Sequence, residues 1–173
     1  SRVEYHLVDT AEKRAKLIER LKKADHFCFD TETTGLDPNN SELVGISFCF
    51  KPEEAFFIIL PENYHDCLEI IRELKPFLED EKVLKIGQNM KFDIAILKWY
   101  DTEVKGRLFD TMIAHYLIEP DMKHGMDYLA ETYLNYKTVH IDELIGKKGK
   151  DQLSMRSVEP QLISDYACED ADI

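Results

Sequence analysis

The sequence predicts an α/β fold, a central mixed β-sheet of about five strands flanked by helices. Three observations predict it. Five short runs rich in β-branched and aromatic residues, Tyr5 to Val8, His26 to Glu32, Leu43 to Phe50, Ala55 to Leu60 and Val83 to Ile86, have the length and composition of strands. Most of the longer segments around them repeat apolar residues at helical spacing. Three of the strands follow one another with no helix between them, which marks an antiparallel portion, whereas Val83 to Ile86 lies between two helices.

The 173 residues, 44% hydrophobic and 32% charged, suit one soluble domain with a substantial core. No apolar run approaches the roughly 20 residues of a membrane span, and no signal peptide is present. Cys28, Cys49, Cys67 and Cys168 form no CxxC pair and read as reduced thiols of a cytoplasmic protein. The net charge of −12 excludes a general nucleic-acid binder, so any phosphate partner must meet its cations locally. The chain starts at Ser1 and stops at Ile173 within a helical pattern, which predicts a fragment of a longer chain, a single domain truncated in its last helix.

Taken in order, Tyr5 to Val8 is an edge strand, and Asp9 and Thr10 cap a helix from about Ala11 to Lys23. His26 to Glu32 then leads to a turn over Gly35 to Asn40. Leu43 to Phe50 and Ala55 to Leu60 form a hairpin. A helix over Asp66 to Leu78 carries Pro76 near its end. Gly87 turns the strand Val83 to Ile86 into a helix from Met90 to Tyr100, with Asn89 as its N-cap. Leu108 and Phe109 precede Asp110, which caps a helix over Met112 to Ile118. Met126 to Leu134 is amphipathic, and Gly146 to Lys150, with three lysines and two glycines, reads as a mobile loop that either is solvated or contacts phosphate. The last helix starts at Glu159, with Leu162, Ile163, Tyr166, Ala167 and Asp170 along its inward stripe.

The chemistry is carried by acids at defined spacings. Asp30 and Glu32 lie two apart on a strand and face the same way, so a divalent cation would relieve their repulsion. If the helix begins at Asn89, then Asn89 and Asp93, four apart, share one of its faces. Tyr166 and Asp170 share another, on a side of the helix where an unpaired carboxylate is costly.

Asp30-x-Glu32, Asn89-x-x-Phe92-Asp93 and Tyr166-x-x-x-Asp170 together resemble the three exonuclease motifs of the DEDD superfamily, in the subgroup where a tyrosine precedes the last aspartate. FDTETTGLD, GQNMKFDIAIL, FDTMIAHYL, HGMDYLAETYL and YACEDADI are similar to the 3′-to-5′ exonuclease domain of family A DNA polymerases, the bacterial DNA polymerase I type. The resemblance spans nearly the whole chain and implies a ribonuclease H-like sheet. It also implies hydrolysis of the 3′-terminal phosphodiester of single-stranded DNA to release nucleoside monophosphates in proofreading, with a polymerase domain following in the same chain.

The same resemblance implies two divalent ions, Mg²⁺ or Mn²⁺, about 4 Å apart. Asp30 would bridge both, Glu32 and Asp170 would complete one site, and Asp93 would hold the second ion through water. Tyr166 would orient the attacking water rather than remove its proton. Leu36, Asn89, Met112, Lys123 and Ile141 are the implied substrate contacts. Core packing is the second reading of Leu36, Met112 and Ile141. Ile141 stands where relatives often carry phenylalanine, and an aliphatic side chain packs without stacking. The alternatives are an RNase D-like RNA exonuclease and a catalytically silent scaffold domain of a polymerase.

Overall fold

The computed structural model describes residues 3–173. Six strands form one mixed sheet in the order β1-β4-β3-β2-β5-β6: β1 (Glu4–Val8), β2 (His26–Thr33), β3 (Leu43–Lys51), β4 (Glu54–Ile59), β5 (Leu84–Gly87) and β6 (Leu108–Asp110). β2, β3 and β4 form an antiparallel meander, while β1 joins β4, β5 joins β2 and β6 joins β5 in parallel. The sixth strand goes beyond the expected five. Its three residues are too few to display an alternation, and only pairing with β5 makes them a strand.

The sheet buries both faces. On one, α1 (Ala11–Leu21), α2 (Tyr64–Leu78) and α3 (Met90–Lys98) enclose Phe27, Phe29, Ile46 and Phe48 with Leu17, Ile71, Leu74, Ile96 and Leu97. On the other, α7 (Pro160–Asp172) lays Ile163, Ala167, Cys168 and Ala171 on Val44, Ala55 and Phe57. This is the face of Cys28 and, two and four residues on, of Asp30 and Glu32.

The lesser helices frame that second face. They are α4 (Thr111–Ile118), α5 (Met126–Leu129) and α6 (Ile141–Ile145), with a 3₁₀ turn at Met155–Ser157. The expected helix over Met126 to Leu134 is α-helical only to Leu129 and continues as a π-helix over Ala130–Leu134, closed by Asn135 in the left-handed conformation. Leu162, expected on the inward stripe of α7, is 56% exposed. Ile163, Ala167 and Ala171 form the buried line, and one residue of rotation carries Leu162 off it. The last turn of α7 is tied down, since Asp172 accepts from the Tyr5 hydroxyl at 2.8 Å and the Glu53 N–H at 2.6 Å. All four cysteines are free thiols; Cys49, Cys67 and Cys168 are buried, Cys28 partly so. No helix among the described residues is long and apolar enough to cross a membrane.

Candidate active site

The site forms where the sheet opens. β2 pairs with β5 only from His26 to Cys28, so beyond Phe29 that edge of β2 is free. Gly87 closes β5 tightly against it: a Cβ there would stand 3.2 Å from the Phe29 carbonyl oxygen and 2.8 Å from the Met90 side chain. The chain then turns into α3, whose first turn brings Asp93 to the vacated edge. The Thr31 N–H, which no strand satisfies, donates to Asp93 Oδ1 at 3.1 Å, and the Thr31 hydroxyl donates to the same oxygen. One carboxylate oxygen thus replaces a missing strand partner, leaving Oδ2 uncommitted.

On the α7 face the remaining acids converge. Asp30, Glu32 and Asp170 each present an oxygen within 4.8 Å of the others. A register shift just after Glu32 marks the bulge that ends the regular ladder. Gly45 pairs with Glu32 and leaves its own position empty, and the Phe57 ring occupies it: an added Cβ would lie 2.1 Å from that ring.

The electrostatics are those of a site built for a cation. Burial, then repulsion from Asp93 and Asp170, pushes the Asp30 carboxyl well above the usual carboxylate range; Glu32 is raised by burial and by Asp30, Asp170 and Asp93. Asp93 is pushed up to about 7 by burial against the lowering effect of the Thr31 bonds, and Asp170 to about 7 by burial, offset in part by the neighbouring Tyr166 hydroxyl. Tyr166 is itself raised far above its ordinary value by burial and by Asp170 and Glu32, so its hydroxyl stays protonated. Three converging carboxylate oxygens with no cationic partner among the described residues fit a hard divalent ion, whereas no His or Cys of the described residues joins the group to select zinc.

The start of α3 is fixed from a neighbouring element. Asn89 does not cap the helix as expected: it adopts the left-handed conformation (φ 56°), its side chain makes no capping bond, and the helix begins one residue later, so Asn89 and Asp93 do not share a helical face. Asp110 takes over. Its carboxylate accepts from the N–H groups of Asn89 (3.0 Å) and Met90 (2.8 Å), and also from Met112 (2.9 Å) and Ile113 (3.4 Å), so one residue caps α3 and α4 together.

The residues expected to contact substrate are less closely gathered. Leu36 is 86% exposed on the loop after β2, and Ile141 is 39% exposed at the start of α6, so neither is a core residue. Asn89 and half-buried Met112 line one cavity of about 520 Å³ between α3, β6 and α4, and Lys123 is exposed on the turn before α5. A second cavity, of about 410 Å³, lies beside Asp170 over Cys28, Ile86 and Gly87.

Two residues that serve the site carried no sequence signal. Thr31 holds Asp93, although it points away from its neighbours Asp30 and Glu32. Glu169, buried beside Asp170, accepts from the Tyr136 hydroxyl at 2.5 Å and the Val139 N–H at 2.8 Å, binding the segment before α6 to α7.

A family described as 3′-5′ exonuclease matches residues 5–173. The chain belongs to this family. The exonuclease domain so identified is 36% identical over 165 residues to DNA polymerase I of Pseudomonas aeruginosa, covering 90% of this chain but only 18% of the relative. Its fold is that of Brucella melitensis NrnC (TM-score 0.73, 21% identity, covering 99% of this chain and 76% of that one), which has also been solved with bound Mg²⁺. Escherichia coli RNase D, an exoribonuclease, shares the fold as well (TM-score 0.71, 20% identity, covering 98% of this chain and 42% of that one). The family is one of hydrolytic nucleases.

Proposed function

We propose that this domain removes nucleoside monophosphates from the 3′ end of single-stranded DNA and serves as the proofreading unit of a family A polymerase whose polymerase domain lies in the same chain. The observation that carries the reading is the convergence of Asp30, Glu32 and Asp170 within 4.8 Å beside the protonated Tyr166. DNA is favoured over RNA because the relatives at 36% identity are DNA polymerases, whereas the likeness to RNase D rests on fold alone. The free thiols are in keeping with a cytoplasmic setting.

Asp30, Glu32 and Asp170 would hold one divalent ion, and Asp30 with Asp93, the latter through water, a second. Mg²⁺ or Mn²⁺ bound there supplies Lewis acidity toward the phosphate and lowers the pKa of bound water. The chain's own residues set the geometry. Asp93 is held through its Oδ1 by the Thr31 N–H and hydroxyl, which leaves its other oxygen for the second ion. Tyr166 keeps its proton and orients the attacking water by hydrogen bonding. Leu36 and Ile141 offer exposed apolar surface to the terminal bases, Asn89 and Met112 flank the bound nucleotide, and Lys123 meets a phosphate. Apolar and stacking contacts tolerate every base, as trimming of any sequence requires.

The test is digestion of a 5′-labelled DNA 12-mer and an RNA of the same sequence with Mn²⁺. Stepwise shortening of the DNA from its 3′ end, faster than that of the RNA, is expected. Preferential trimming of the RNA would replace the proofreading assignment with RNA processing, and cleavage of neither would favour a silent scaffold.

A further inference from the structure

The segment Gly146 to Lys150 places three lysines within four residues of a chain with net charge −12, and the carboxylate site gives it no role. Lys147, Lys148 and Lys150 are exposed, and none pairs with a carboxylate among the described residues. The segment, expected from the sequence to be a mobile loop, has a closed stem. The Leu153 N–H donates to the Ile145 carbonyl at 2.8 Å, Gln152 Nε2 to the Gly146 carbonyl at 3.1 Å, and Gly146 takes φ 82° to begin the turn.

Both ends of that stem are anchored at the site. Leu144 and Ile145, like Tyr166 of α7, pack against the cluster that contains Ile163. On the return, Met155 is buried in the same cluster, and Arg156 donates through its two terminal nitrogens to the carbonyls of Leu43 and Leu60, each at 2.6 Å. Leu43 is the partner of Thr33, next to Glu32. The turn that carries the three lysines is therefore tied on one side to the cluster beneath α7 and on the other to the strand end beside Glu32. Ile141 lies five residues away along α6, about 7 Å of helix.

Resting on the exonuclease reading, we infer that Lys147, Lys148 and Lys150 form a backbone clamp for single-stranded nucleic acid, holding phosphates on the 5′ side of the terminal nucleotide. Such a clamp supplies the local cations that an acidic chain needs to retain a polyanion at a carboxylate site. It acts on a strand several nucleotides long and not on a dinucleotide, whose one phosphate lies at the carboxylates.

The test compares the chain with its Lys147→Gln/Lys148→Gln/Lys150→Gln variant in two assays. Binding of 5′-fluorescein (dT)₁₂ is followed by anisotropy in Ca²⁺ over a range of KCl, and mononucleotide release from (dT)₁₂ and (dT)₂ is followed in Mn²⁺. With three lysines no longer neutralising phosphates of the single strand, the log–log salt slope should become shallower by about 2 and (dT)₁₂ should bind at least about tenfold more weakly near 0.1 M salt. (dT)₂ hydrolysis should be unchanged, and the triple Lys→Arg variant should keep the parent slope. An unaltered slope, an equal loss on (dT)₂, or no binding of (dT)₁₂ by the parent chain overturns the clamp. A parent that binds with the loop-dependent slope yet cleaves neither oligonucleotide supports the clamp and removes the exonuclease reading.

Discussion

Replacing Asp110 by alanine tests how the fold positions Asp93. One carboxylate caps two helices, accepting three N–H bonds of 3.0 Å or less and a fourth at 3.4 Å. Loss of a helix N-cap costs about 1 kcal/mol, up to about 2 where the donors are partly buried, so two caps amount to about 2–4 kcal/mol. The substitution also releases Asn89, whose left-handed backbone costs about 1–2 kcal/mol unless held in place. At about 2–4 °C per kcal/mol for a chain of this size, the melting temperature should fall by roughly 4–16 °C. Asp110→Asn, which keeps one acceptor but loses the charge, should fall by about half as much. Because Asp93 lies in the first turn of α3, metal-dependent hydrolysis measured well below the new melting temperature should drop in Asp110→Ala although Asp110 touches no metal ligand. Urea denaturation and initial rates on (dT)₁₂ give both quantities. A loss below about 0.5 kcal/mol with the parent rate would refute this account of the double cap.

Further expectations concern the metal-free state, α7 and the sheet. With chelator present, Asp93 and Asp170 bind protons more tightly folded (about 7) than unfolded (3.8), so their stabilisation is complete below about pH 4 and is lost as pH rises through 7. Each should contribute about 2–3 kcal/mol more at pH 5 than at pH 8; the chelated chain should melt higher at pH 5, excess Mn²⁺ should shrink the difference, and a flat profile in chelator would count against an assembled acid cluster. Glu169→Gln and Tyr136→Phe, which loosen the segment before α6, should each cost about 1–2 kcal/mol and lower turnover on (dT)₁₂; parent stability in both would show that these bonds do not hold α7. Gly45→Val forces a side chain into the Phe57 ring and should cost at least about 1–3 kcal/mol, whereas an unchanged urea midpoint would show that Phe57 moves aside freely. Tyr166→Phe removes the water-orienting hydroxyl and should slow hydrolysis by at least about tenfold while the urea midpoint changes little; full activity would assign Tyr166 to packing alone.

The site was legible in the sequence to the extent that it follows the repeat of its elements. Asp30 and Glu32 could be placed on one strand face, and Tyr166 and Asp170 on one helix face, because those periods are fixed by the backbone. The meeting of the two pairs is tertiary: α7 crosses the sheet so that Asp170 reaches Asp30 and Glu32. Neither spacing nor composition encodes that crossing, and the family resemblance supplied it. Asp93 illustrates the limit differently. Its approach depends on β5 ending beside Phe29, and the residue that holds it, Thr31, lies between two acids with its side chain on the other face. Asp110 was readable as the cap of its own helix, but its second role at α3 requires β6, a strand too short to leave a pattern. The trio His115, His124 and Tyr133, with His115 bonded to both others, also assembles only through the turn between α4 and α5.

The central claim is that Asp30, Glu32 and Asp170 hold one divalent ion and Asp93 helps to hold a second, and that both serve release of the 3′-terminal nucleotide. Its most direct test is Mn²⁺ binding by calorimetry on the parent chain and on Asp30→Asn, alongside mononucleotide release from (dT)₁₂ in the same samples. Saturable binding to the parent is expected, with a loss of both binding and release in Asp30→Asn, and the variant should be as stable in chelator as the parent or more so, since one of the repelling groups is gone. Undiminished Mn²⁺ binding and nucleotide release in Asp30→Asn would contradict it.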